Sequence, residues 1–174
     1  MGNLAPLSRA EEKATRAIAT ADPRLGRLIE GRNGPTLLRP IERDRHQPDA
    51  ARQALIGLYD YEHDRTVVAV VDLDDKVVVT VEDSPVQLQL SANEAREAVR
   101  LAGKDPQVKE MLAGRKMDPL TRLYFPPWAK RHDPPHRYAI VFIRPNTSER
   151  IFAVVDLSQG QVVEVLHPAQ LRAQ

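Results

Sequence analysis

The sequence predicts an α+β protein made of two copies of one unit, and three observations carry that reading. Ala69-Val70-Val71-Asp72-Leu73 returns as Ala153-Val154-Val155-Asp156-Leu157. A helix-start signature, Ser8 with Glu11, returns 83 residues later as Ser91 with Glu94. Within each copy helical patterns come first and apolar strand-like runs follow, the order expected of helices packed on an antiparallel sheet. So many ordered matches point to duplication. The copies are placed at residues 1–85 and 90–174, with a linker at 86–89.

In the first copy the Ser8 hydroxyl caps a helix, and Glu11 reaches back to the cap's own amide. Behind it Ala14, Ala17, Ile18 and Ala21 recur at a three-to-four spacing, a narrow small-residue face that lies close against a sheet. Asp22-Pro23 predicts a second helix, because proline is tolerated in a first turn and Asp22 supplies a capping oxygen. Leu25, Leu28 and Ile29 form its apolar side, and Gly31 ends it. Thr36 to Ile41 reads as an edge strand or an irregular segment, since Pro35 and Pro40 cannot donate to a ladder. Arg43 to Ala51 reads as a loop. Gln53 to Tyr59, Thr66 to Leu73 and Val77 to Val81 are rich in strand-forming residues and predict an antiparallel meander. Val67, Val68, Val70 and Val71 are all apolar, which predicts burial on both faces.

The second copy repeats this order. Asp105-Pro106 and Gly114-Arg115 follow Asp22-Pro23 and Gly31-Arg32 by 83 residues, and Asp156 follows Asp72 by 84, so one net residue is inserted between. Arg137 to Ile143, Arg150 to Leu157 and Gln161 to Leu166 repeat the meander.

Composition narrows the function classes. At 42% hydrophobic and 28% charged residues the chain has the make-up of a folded globular protein. Its 25 basic and 24 acidic residues leave a formal charge of +1, so no long-range field recruits nucleic acid or an anionic membrane. The absence of cysteine removes disulfides, thiolate metal sites and thiol nucleophiles. No apolar run approaches the roughly 20 residues needed to cross a bilayer. Met1 to Leu7 lacks a signal-peptide pattern, so a cytoplasmic location is expected unless an export signal has been removed.

Asp72-Leu73 with Lys76-Val77-Val78, then Leu90-Ser91, an acidic-capped helix and Asp105-Pro106-Gln107-Val108, resembles the paired amino-terminal domains of copper amine oxidases. Phe125-Pro126-Pro127-Trp128 is similar to a proline-tryptophan motif in the second of those domains, and Ala153 to Leu157 with Val162-Val163 extends the match. The resemblance implies two tandem cystatin-like α+β units that are accessory in that family. It does not imply oxidase activity, because the quinone-forming Asn-Tyr context is missing: Tyr59, Tyr61, Tyr124 and Tyr138 all stand in other surroundings. The expectation is an accessory pair standing alone.

Candidate functional residues gather where the copies differ. Tyr124, Phe125 and Trp128 bring aromatic surface of the kind that anchors partners, and Lys130, Arg131 and Arg137 add positive charge. Trp128 beside Pro126-Pro127 reads more simply as a plug for its own unit. His132 and His136 are a close histidine pair, and a metal site there requires a third ligand such as Asp133 or His46. Asp72 and Asp156, at equivalent strand ends, read as turn residues accepting amide hydrogen bonds rather than as catalytic carboxylates.

These readings lead to a non-catalytic binding or scaffold protein that engages a protein or peptide partner, by strand addition to a sheet edge with selectivity from the 123–137 loop. The alternatives are a separately encoded accessory subunit of an amine-oxidase-like enzyme, or a small-ligand or metal-binding protein using that loop. No catalytic residue and no cofactor are expected. A homodimer is a further arrangement; nucleic acid and membrane are not expected partners.

Overall fold

The computed structural model describes residues 5–30, 37–41, 51–128, 136–144 and 150–166. The chain divides between Ser91 and Ala92 into two compact units, each holding two helices and one four-stranded antiparallel sheet. No helix among the described residues is long and apolar enough to cross a membrane.

Unit 1 runs α1 (Arg9–Ala21), α2 (Gly26–Glu30), β1 (Leu37–Pro40), β2 (Gln53–Asp60), β3 (Arg65–Asp72) and β4 (Val77–Ser84), with the strands in sequence order. The capping box closes as its residue types dictate: Ser8 Oγ accepts the Glu11 amide at 3.2 Å, and Glu11 Oε2 accepts the Ser8 amide at 2.7 Å. The second helix starts later than the Asp22-Pro23 signal predicts, at Gly26. The Arg24 guanidinium folds back onto the Asp22 carboxylate at 2.9 and 2.7 Å, and the Asp22 carbonyl accepts Leu25 and Gly26, so the intervening residues form a turn. Asp22 thereby ends α1, and its Oδ1 accepts the Arg24 amide at 2.9 Å, so the expected capping oxygen heads a turn and not a helix beginning at Pro23. Gly31, with the predicted helix end, lies outside the described residues.

The helices cover the sheet face formed by alternate residues of β2 and β3. Ile56, Leu58, Val67, Ala69 and Val71 are buried there against Ala19 and Leu25, with Val78 and Val81 of β4 at the margin. On the opposite face, Gly57 leaves space that Leu88 of the segment following β4 occupies. A Cβ built on Gly57 would stand 2.2 Å from Leu88 Cδ1 and 3.0 Å from Leu37 Cβ.

Unit 2 runs α3 (Ala92–Lys104), α4 (Pro106–Leu112), β5 (Pro119–Tyr124), β6 (Tyr138–Ile143), β7 (Ile151–Asp156) and β8 (Gln161–Leu166). Here the Asp-Pro signal works as a helix start: Asp105 Oδ1 accepts Gln107 and Val108 amides at 2.9 and 3.0 Å, and Pro106 takes the first turn. Glu94, Ala98 and Ala102 recur every four residues as the buried stripe of α3. The expected meander of this copy has no strand at 119–124; Pro119 opens β5, and proline is tolerated as a strand's first residue. The duplication contains the missing signal: Leu120 and Arg122 of β5 follow Leu37 and Arg39 of β1 by 83 residues.

Both units share one further irregularity. Val70 pairs with Thr80 and Val71 with Val78, leaving Val79 as a bulge on β4. Val154 pairs with Glu164 and Val155 with Val162, leaving Val163 as the same bulge on β8. Both bulged valines are exposed, at 50% and 38%. The duplication therefore preserves a backbone device that twists an edge strand away from regular pairing.

Candidate functional site

The turn aspartates do structural work. Asp72 Oδ1 accepts the Asp74 and Asp75 amides, each at 2.9 Å. The Asp75 amide in particular holds the Asp72 carboxyl below the ordinary carboxylate range, against an opposing effect of burial. Asp156 Oδ1 accepts the Gln159 amide at 2.9 Å, and its Oδ2 meets His136 Nδ1 at 2.8 Å.

Arg137 stands on the inside of unit 2. Its side chain is fully buried, with Nε 2.5 Å from Glu94 Oε1 and Nη2 3.3 Å from Glu94 Oε2. Its amide donates to Ser158 Oγ at 3.0 Å and its carbonyl accepts Leu157 at 2.8 Å. The expectation that Arg137 faces a partner is corrected: a guanidinium with no exposed surface and a buried carboxylate against it cannot meet a ligand in solvent. The signal that finds this pair is again the duplication. Arg52 also accepts the amide of the leucine after the turn aspartate, and its Nε meets Glu11, the counterpart of Glu94, at 2.8 Å.

The remaining candidates fall in three places. Trp128 is half-buried and stacks edge-on against Tyr138, ring centres 5.3 Å apart, so it packs onto its own unit beside Ile140, Phe152 and Val154. Tyr124 is half-buried at the end of β5, where burial, with Glu164 nearby, raises its hydroxyl pKa. Phe125 is 64% exposed. Lys130, Arg131, His132, Asp133 and His46 lie outside the described residues. His136 is half-buried on Asp156, and among the described residues no cluster of three or more histidine or acidic side chains is arranged to hold a metal ion.

What the structure adds is the outer side of β5. Arg144 donates to the Asp118 carbonyl at 3.2 Å, and the register runs from Pro119 opposite Ile143 to Tyr124 opposite Tyr138 without a bulge. Antiparallel ladders alternate, so Leu120, Arg122 and Tyr124 spend their backbone groups on β6 while those of Thr121 and Leu123 point away from it. Among the described residues no strand pairs with that outer side.

On the face carrying Leu120 and Arg122, a pocket of about 170 Å³ opens beside this edge. Its floor is Leu120, Ile143 and the edge-on pair Phe142 and Phe152, ring centres 5.2 Å apart. Arg144 and Arg150, both exposed, stand at its rim. The corresponding place in unit 1 is where Leu88 sits over Gly57 and Leu37. Phe142 replaces Gly57 by register, as Leu120 replaces Leu37.

No known family matches this chain, and no characterised protein matches its sequence.

Proposed function

We propose that the chain is a binding module whose second unit takes up an extended peptide as an additional strand beside β5. The units are cystatin-like in this reading, as the sequence resemblance to the amine oxidase accessory pair implies, and no catalytic step belongs to it. The observation that carries the proposal is the contrast between the two edges of one sheet. β8 is bulged at Val163, a feature that discourages pairing, whereas β5 keeps six residues in regular register with Thr121 and Leu123 turned outward. In strand addition the main chain supplies affinity and alternate side chains supply selectivity.

Selection of binders from a random peptide library on the full chain tests this, with Thr121→Pro as the discriminating variant. Proline removes the outward amide without taking a ladder bond from β6, so peptide capture is lost while the melting transition is retained. As a check independent of protein folding, backbone N-methylation of the selected peptide at alternate residues abolishes binding. Peptides that bind Thr121→Pro and their own N-methylated forms as well as the parents overturn the proposal.

A further inference from the structure

Resting on that strand-addition reading, we infer that the peptide taken up by β5 is acidic and carries an aromatic residue that enters the pocket beside Leu120. Leu120 and Arg122 lie on the same face of β5, and both stand opposite non-hydrogen-bonded positions of an added strand, where facing side chains approach most closely. A residue opposite Leu120 is in reach of Phe142 and Phe152 behind it, since aromatic side chains bridge diagonal neighbours in a sheet. The pocket's volume of about 170 Å³ suits a benzene-sized ring, which an engineered apolar cavity of roughly 150 Å³ accommodates in another protein.

Charge sets the rest of the motif. Arg122 is exposed on the edge itself, and Arg144 and Arg150 stand at the pocket rim, with Asp118 the acidic partner of Arg144 at 3.3 Å. An antiparallel peptide places the residue two before its aromatic opposite Arg122, and the residue two after it opposite Asp118, with Arg144 behind. The preferred sequence is therefore acidic, any residue, aromatic, with no acid two residues after the aromatic, where Asp118 would repel it. A second copy of this chain is disfavoured in the register that sets Arg122 opposite itself, because like charges directly across a ladder repel. The first unit supplies an internal precedent for the pocket: there the segment following β4 seats an apolar side chain, Leu88, at the equivalent place.

The test uses a synthetic peptide with glutamate two residues before phenylalanine, titrated against the full chain by fluorescence anisotropy. Replacing its phenylalanine by alanine is expected to weaken binding by at least about tenfold, as for a buried aromatic anchor. Arg122→Glu should weaken it by about tenfold, and a lysine-for-glutamate peptide should recover affinity for that variant. Equal binding of neutral, basic and alanine-substituted peptides to the parent overturns this inference, and leaves strand addition standing if Thr121→Pro still abolishes capture. Strand addition alone fails if the acidic aromatic peptide shows all these preferences yet ignores Thr121→Pro. Saturation only after removal of residues 167–174 also overturns the inference, because those residues would then be the occupant.

Discussion

Arg137 and Glu94 form an ion pair in which neither side chain has exposed surface, whereas Arg52 and Glu11 form the corresponding pair with 19% and 30% of their side chains exposed. One interaction thus occurs twice, between the residue before a central strand and the first turn of a helix, at two depths. Depth decides its energetics. Removing one partner of a fully buried pair strands a charge, so Arg137→Met should cost about 3–5 kcal/mol in urea unfolding. Replacing both partners with apolar residues should recover most of that loss. Arg52→Met should cost about 1 kcal/mol or less. Equal costs at the two sites would contradict the assignment.

The shallower pair sets an acid dependence. Hydrogen bonding from the Arg52 guanidinium, followed by the Ser8 amide and hydroxyl, holds the Glu11 carboxyl at about 2 against its ordinary 4.5. A lowered folded-state pKa stabilises the folded state above the ordinary value and loses that contribution as pH falls toward the folded one. Stability of the first unit should therefore drop between about pH 4.5 and 2. Arg52→Met should flatten the portion due to Glu11, measured as the difference between parent and variant melting curves across that range.

Much of the architecture was legible because the copies check each other. The Ser8–Glu11 box, the meander strands and the turn aspartates follow from local residue chemistry, and each has its counterpart at a fixed spacing. Two features escaped. β5 hides behind Pro119, and only the match of Leu120 and Arg122 to Leu37 and Arg39 reveals it. Arg137 counts as surface charge in a run with Lys130 and Arg131 because burial of a cation is set by tertiary packing, which charge counting does not register. The site shifted accordingly, from the loop around Trp128 to the edge beside it.

Gly57 and Leu88 form a second matched pair. An alanine methyl at position 57 would meet Leu88 Cδ1 at 2.2 Å, so Leu88 must leave its seat. Gly57→Ala should destabilise unit 1 by about 1–3 kcal/mol, and adding Leu88→Ala should restore part of that loss because the clash disappears with the side chain. Additive losses in the double variant would show that the two residues do not touch.

Lys76 and Gly160 occupy the same turn position, both with positive φ, at 57° and 71°. A lysine pays a steric penalty in that region that glycine does not. Lys76→Gly should raise stability by on the order of 0.5 kcal/mol, and Gly160→Lys should lower it by about 1 kcal/mol, read from thermal midpoints.

The account's central claim is that the outer backbone of β5 receives a strand. Amide hydrogen exchange on the full chain, with and without a bound library-selected peptide, tests it most directly. The expected result is alternating: the Thr121 and Leu123 amides gain protection on binding, while those of Leu120 and Arg122, already committed to β6, change little. Protection that appears on β8 or in the first unit, with Thr121 and Leu123 unaltered, would contradict it.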